Sequence, residues 1–220
     1  MTRNATQGEG ENSPDVIRHA VLLGDALQNI DLGPGEAERA LVPQPRNPWK
    51  LTVLRPEQVL QKRHVQAFPE DATHVAIGVE GGWAIETSGL LRGRAQSIRE
   101  ALDTLAAAAD EFEVAFAGLI AAALETGLPT VVCTLVPSRF VEPSQQRVAA
   151  TALAIFNDRV MRRAFAARLP IVDLRLVCDE DADYGSETLL SRAGVRKAAN
   201  VIRAALYEIS RSAGRSRVYF

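Results

Sequence analysis

Histidine is scarce in this 220-residue chain: His19, His64 and His74 are the only three, and none follows position 74. Two cysteines, Cys133 and Cys178, each sit inside an apolar segment (VVCTLV and RLVCDE). Two lone thiols make no disulfide framework, and with scattered histidines they supply no metal-ligand spacing. Charge of one sign is also missing. Lysine plus arginine (25) nearly balance aspartate plus glutamate (27), a formal net charge of −2, which excludes the electrostatic footprint of bulk nucleic-acid or anionic-membrane binding. No run of eighteen apolar residues marks a membrane span. No apolar stretch follows the polar start MTRNATQGEGENSPD as a signal peptide would, so the expected location is the cytoplasm. Neither a Walker A loop nor a GxGxxG turn occurs, and no cofactor is expected.

What is present is ordinary for a folded domain: 47% hydrophobic and 24% charged residues, in a length that suits one domain. Residues 1–14 read as a disordered tail, 15–210 as the domain, and 211–220 as a basic, flexible C-terminal tail. Within the domain, short apolar runs alternate with helical periods. HAVLLG (19–24), KLTVL (50–54), THVAIGV (73–79), PTVVCTLV (129–136) and LPIVDLRLV (169–177) read as buried strands. Residues 32–49 hold four prolines and read as a loop with one short helix over EAERAL. Helices are expected over 56–68, over 95–126 as one bent or two shorter segments, over 143–168, and over 191–211. Strands alternating with helices predict a three-layer α/β/α sandwich of flavodoxin-like type around a parallel sheet of about five strands. In such folds the ligand crevice lies beyond the C-terminal strand ends.

The order and spacing of HAVLLGD, DATHVAIGVEGG, LPTVVCTLVPSRF, QQRVAATALAIFNDRV and LPIVDLRLVCDEDADY resemble the SGNH/GDSL hydrolase superfamily across residues 18–208. The resemblance implies esterase or acyl-hydrolase chemistry built from four blocks, and this chain departs from each. Where the family has the nucleophilic serine of Gly-Asp-Ser, the sequence reads Gly24-Asp25-Ala26. The glycine after the second strand, whose N–H helps hold the oxyanion, falls near Arg55-Pro56, and proline has no N–H. The Gly-x-Asn-Asp block aligns without gaps to Glu80-Gly81-Gly82-Trp83, which puts Gly82 in the asparagine's place. The Asp-x-x-His before the last helix falls near Ser186-Glu187-Thr188-Leu189, with Leu189 near the histidine position. Acyl transfer by this route needs a nucleophile, a base and oxyanion donors together, so the family mechanism is not expected here.

Strand-end positions nominate a replacement set. Asp25, Arg55, Glu80 and Arg139 follow the first four strands and are expected to rim one crevice with Ala26, Gly81 and Gly82. Asp25 and Glu80 would make a carboxylate pair suited to acid/base work, and Arg55 with Arg139 would hold an anionic ligand. The competing reading has Asp25 capping its turn and Glu80 solvated. Trp83 either stacks on a ligand at the mouth or fills space as a lid. His64 reads as a surface residue, and His19 and His74 as strand-start residues that cap or pack. Ser88, Ser138 and Ser191 have no neighbouring histidine.

Three functions stay open. One is a non-hydrolytic pseudoenzyme that binds a small ligand, anionic if both arginines face it, or a partner. Another is an enzyme of changed chemistry, an acid/base lyase, isomerase or cyclase in the same crevice. The last is a residual esterase or acyltransferase, which includes the case of Ala26 as an engineered Ser→Ala change. No nucleic acid or membrane partner is expected, and the sequence sets no oligomeric state.

Overall fold

A computed structural model describes residues 18–27, 49–55, 68–87, 89–93, 95–210 and 217–220. The expected helix over EAERAL, the one over 56–68 up to residue 67, His64 and Ser88 lie outside the described residues. The strands are β1 (Arg18–Leu23), β2 (Trp49–Leu54), β3 (His74–Ile77), β4 (Thr130–Cys133), β5 (Ile171–Val172) and β6 (Val218–Tyr219). They form one sheet in the order β2-β1-β3-β4-β5-β6, and every pair is parallel. The sheet thus has six strands where the apolar runs suggested about five. The extra one comes from the end of the 211–220 segment, whose Val218 and Tyr219 pair with Ile171 and Val172.

The helices are α1 (Gly81–Thr87), α2 (Ile98–Glu125), α3 (Pro143–Ala166), α4 (Leu174–Val177) and α5 (Arg192–Ile209). The alanine-rich stretch makes one continuous helix. Ser97 starts it by accepting the Glu100 N–H at 3.1 Å, while the Glu100 carboxylate accepts the Gln96 N–H at 2.6 Å, a reciprocal cap. Gly127, at φ +67°, follows its end. In α3, Pro143 takes the first turn and the Glu142 carboxylate accepts the Gln145 N–H at 2.7 Å. Ser191 caps α5 through the Gly194 N–H at 3.3 Å.

Alternation along each strand splits the core in two. Val21, Leu23, Val75, Ile77 and Val132 face α2 and α3, where Phe112 stacks on Phe116 and Phe156 with ring centroids 5.6 and 5.2 Å apart. Ala20, Leu22, Ala76, Val131 and Cys133 face α5 through Val195, Ala199, Ile202 and Leu206. Burying both faces is what makes the strands read as continuous apolar runs. β5 is far shorter than the run 169–177. The Thr134 hydroxyl donates to Asp173 Oδ1 at 3.0 Å, and that same oxygen accepts the Arg175 N–H at 3.2 Å. Asp173 so turns the chain from strand into α4 directly after Val172.

Candidate functional site

The turn after β1 is stitched to both neighbouring strands. Gly24 donates to the Leu54 carbonyl at 2.8 Å and Ala26 donates to the Gly78 carbonyl at 3.0 Å. The Asp25 carboxylate accepts the Glu80 N–H through Oδ1 at 2.8 Å. Gly24 has φ +118°, and a Cβ there would lie 2.1 Å from the Gly78 oxygen, so only glycine fits. Asp25 and Glu80 are therefore brought together through the Asp25 carboxylate on the Glu80 backbone amide. The methyl of Ala26 is 3% exposed and belongs to the apolar core beneath α5. It faces Gly78, where a Cβ would come within 2.9 Å of the Ala26 Cβ.

α1 begins directly after Glu80, although Gly81-Gly82 reads as a loop by propensity. Both glycines are close-approach positions. A Cβ on Gly81 would lie 2.6 Å from the Val136 carbonyl oxygen, on the chain leaving β4. A Cβ on Gly82 would lie 2.5 Å from the Thr188 Cβ, 2.8 Å from Glu80 Oε1 and 2.9 Å from Thr188 Oγ1. Glu80 folds back over the start of α1 and Thr188 descends on it from the segment before α5. The volume that a longer side chain at position 82 would need is filled. Trp83 falls in α1, and its side chain lies outside what the structure describes.

The segment bearing Leu189 is a tight turn. Gly185 donates to the Leu189 carbonyl at 2.9 Å, and Ser186 Oγ accepts the Leu189 N–H at 3.2 Å. Leu189 is half-buried there. The chain after β4 clamps this turn: the Arg139 N–H donates to the Glu187 carbonyl at 2.7 Å and the Val141 N–H to the Glu187 carboxylate at 3.3 Å.

Arg139 itself turns to the segment after α4. Its Nε pairs with Asp181 at 3.2 Å, an Nη donates to the Asp179 carbonyl at 2.9 Å, and its guanidinium lies 4.5 Å from the centre of the Tyr184 ring. Burial raises the Tyr184 phenol above its ordinary value, and its hydroxyl donates to the Cys178 carbonyl at 2.8 Å. Arg139 thus braces residues 179–184, and none of these bonds reaches Asp25 or Glu80. Arg55 is exposed at the end of β2.

His19 and His74 stand at the opposite end of the sheet. His19 Nδ1 lies 2.8 Å from Asp71 Oδ1 and its Nε2 2.9 Å from Thr52 Oγ1. Because the carboxylate accepts, Nδ1 carries a proton. His74 Nε2 lies 2.6 Å from Ser210 Oγ and its Nδ1 2.8 Å from Thr73 Oγ1. Four residue steps of roughly 3.3 Å each separate His19 from the end of β1, which puts both rings far out of proton-transfer reach of Ala26. Two residues at the strand ends were not nominated from sequence. Gly78 carries a legible signal, a glycine closing the apolar run HVAI. Thr188 carries none, since it meets Gly82 only through the fold. Among the described residues, no group of three histidine, cysteine or acidic side chains is placed to hold a metal ion, and no helix is long and apolar enough to cross a membrane.

No protein-family model matches the sequence, and comparison with curated proteins gives no match. Solved structures do resemble the fold. An extracellular lipase from Streptomyces rimosus aligns with a TM-score of 0.55 at 14% identity, covering 87% of this chain and 99% of the lipase. Phospholipase A1 from Streptomyces albidoflavus NA297 aligns at 0.52 and 12% identity, covering 87% and 99%. A member of the lipolytic G-D-S-L family from Veillonella parvula DSM 2008 aligns at 0.53 and 11% identity, covering 89% and 100%. The chain has the α/β fold of SGNH/GDSL hydrolases over nearly the whole length of these proteins.

Proposed function

We propose that this chain is an SGNH-fold protein that binds a ligand or partner without hydrolysing esters. The observation that carries the reading is Ala26. It occupies the turn after β1, its methyl is sunk in the α5-side core, and no described histidine lies at that end of the sheet. The packing around Gly78 also offers a second register for the third block. Gly78-Val79-Glu80-Gly81 fits Gly-x-Asn-Asp from the glycine that faces Ala26, and puts Glu80 in the asparagine's place. In either register no asparagine amide is available to the oxyanion. Losing one oxyanion donor typically costs about 10²–10³ in turnover, and a missing nucleophile and base remove the route altogether.

A fluorophosphonate probe and a panel of p-nitrophenyl esters test this directly. The purified chain is expected to stay unlabelled and to show no saturable turnover. Turnover abolished by a single substitution lining the strand-end crevice would overturn the proposal.

A second reading rests on Glu80, whose carboxylate lies over the start of α1 beside Thr188. A carboxylate there suits proton abstraction in a lyase, isomerase or cyclase. Native mass spectrometry of the purified chain and of Glu80→Gln separates the two. A co-purifying molecule retained by wild type and converted only when Glu80 is intact favours the enzyme.

A further inference from the structure

The first turns of α2 are exposed on every side. Each residue from Ile98 to Thr104 is exposed, so nearly two turns bury no face, although a helix in a folded chain draws most of its stability from burying an apolar stripe. The stripe is there: Ile98, Leu102 and Leu105 recur at helical spacing. Only Leu105 reaches the core, whereas Leu102 is 58% and Ile98 82% exposed. Beside them a groove of about 460 Å³ opens between the first turns of α2 and α3, lined by Leu90, Leu102, Leu105, Val148 and Ala152. Ile98 stands at the end of the stripe and is no part of that lining. Large aliphatic side chains left in water around a concavity mark a surface that something covers.

The charges on this face are of both signs. Glu100 and Arg147 both line the groove, and Arg147 acts on the Glu142 carboxylate at the head of α3. Arg99 and Asp103 are exposed one turn apart on α2. Such a rim selects neither an anion nor a cation. It fits a partner that carries the same two signs in reverse order, and an antiparallel copy of α2 does so. In that arrangement Arg99 of each copy meets Asp103 of the other, and Ile98 of each meets the other's groove. A knob, a hollow and both charges on one patch are what a two-fold contact of a surface with itself requires. Ala101, between Ile98 and Leu102 on the helix, lets the two backbones approach closely. Segments 89–93, 95–104 and 144–152 together match the roughly 20–30 residues a side of a standard interface.

We propose that this face is the interface of a homodimer, with the first turns of the two α2 helices antiparallel and Ile98 of each copy seated in the groove of the other. The proposal goes beyond the functional reading above and holds whether or not the chain cleaves esters.

Sedimentation of the full chain over about a hundredfold range of concentration tests it. A reversible dimer is expected. Ile98→Asp changes a side chain that is 82% exposed in the single chain, so the fold is expected to stand by circular dichroism. The dimer is expected to weaken about a hundredfold or more, because the two-fold contact carries the new charge into an apolar groove twice. Asp103→Arg is expected to weaken it about tenfold by setting like charges together. Arg99→Asp combined with Asp103→Arg is expected to restore it, a recovery that non-specific clustering of apolar surface would not give. A monomer at every concentration overturns the proposal. Saturable binding of anilinonaphthalene sulfonate by that monomer would then make the groove a small-molecule site, and binding to phosphatidylcholine vesicles would make it a membrane-facing patch. A dimer that ignores Ile98→Asp overturns it as well, since the contact then lies on another face. A fluorophosphonate label bears on ester chemistry alone and leaves the interface standing.

Discussion

The Ala26 N–H donates to the Gly78 carbonyl at 3.0 Å while the Ala26 methyl faces the Gly78 α-carbon. The turn after β1 and the end of β3 are thus a single packed unit. Ala26→Ser puts a hydroxyl into this 3%-exposed position. With no described histidine at that end of the sheet to accept its proton, the serine is expected to gain no ester turnover and no fluorophosphonate label. An unsatisfied buried hydroxyl costs about 1–3 kcal/mol, so urea unfolding should show a matching loss. A labelled, stable Ala26→Ser protein would contradict this account of the turn.

Asn157 on α3 is 1% exposed. It fastens the chain leaving β4, accepting the Leu135 N–H at 2.7 Å and donating to the Leu135 carbonyl at 3.3 Å. Asn157→Leu keeps the branching at Cγ and strands both Leu135 backbone groups in the core. Chemical denaturation should register a loss of about 2–3 kcal/mol.

Burial, aided by the positive charge of Arg18, pushes the His74 imidazole from 6.5 down to about 4. The folded chain then holds His74 neutral over a range in which the unfolded chain protonates it. Between pH 6.5 and 4 the unfolded state binds the extra proton. Stability is full above 6.5 and falls as pH drops through that window, by up to about 1.4 kcal/mol per unit. Asp71, Glu142 and Asp173, all held below their ordinary carboxylate values, release their contributions only at lower pH. Urea midpoints at pH 7 and pH 5 should therefore differ in wild type. His74→Phe keeps a ring against Trp49 and should flatten the difference, whatever its effect on overall stability. An unchanged pH slope in that variant would assign the titration elsewhere.

Burial pushes both the Cys133 and the Cys178 thiol up to about 12. Both side chains are at most 1% exposed. Ellman's reagent at pH 8 should find neither thiol in the native chain and both in urea, because the thiolate is the reactive form. Rapid native reaction at either cysteine would show local opening around β4 or α4.

Much of the architecture was legible because it rests on local pattern. Four of the five apolar runs became strands of four to six residues, and three long helical stretches became α2, α3 and α5, each beginning within a few residues of its expected start. β5 failed to extend because Asp173 forms bonds to Thr134, a residue 39 positions earlier, that no periodicity reveals. β6 was hidden in a basic tail, since two residues of strand carry no period of their own. α1 was hidden by Gly81-Gly82, whose poor helix propensity is overridden by the close approach of Val136 and Thr188. At the strand ends, position alone suggested that Asp25, Ala26 and Glu80 lie near one another, as their bonds to Glu80 and Gly78 show. Arg139 was placed at the right strand end, but its direction depends on Tyr184 and Asp181, some 40 residues away.

Residue identity holds in any fold the chain adopts: alanine follows Gly24-Asp25, and no histidine lies beyond position 74. The alternation of buried runs and amphipathic helices was equally inherent, because burying both faces of a parallel sheet leaves no other arrangement for such segments. Only the folded chain decided that Gly78 meets Ala26, that Thr188 closes over Gly82, that Arg139 serves as a brace, and that α2 and α3 part to leave an apolar groove between their first turns. Each of these is a contact between segments far apart in the chain, set by the register of the sheet and the angle of the helices upon it.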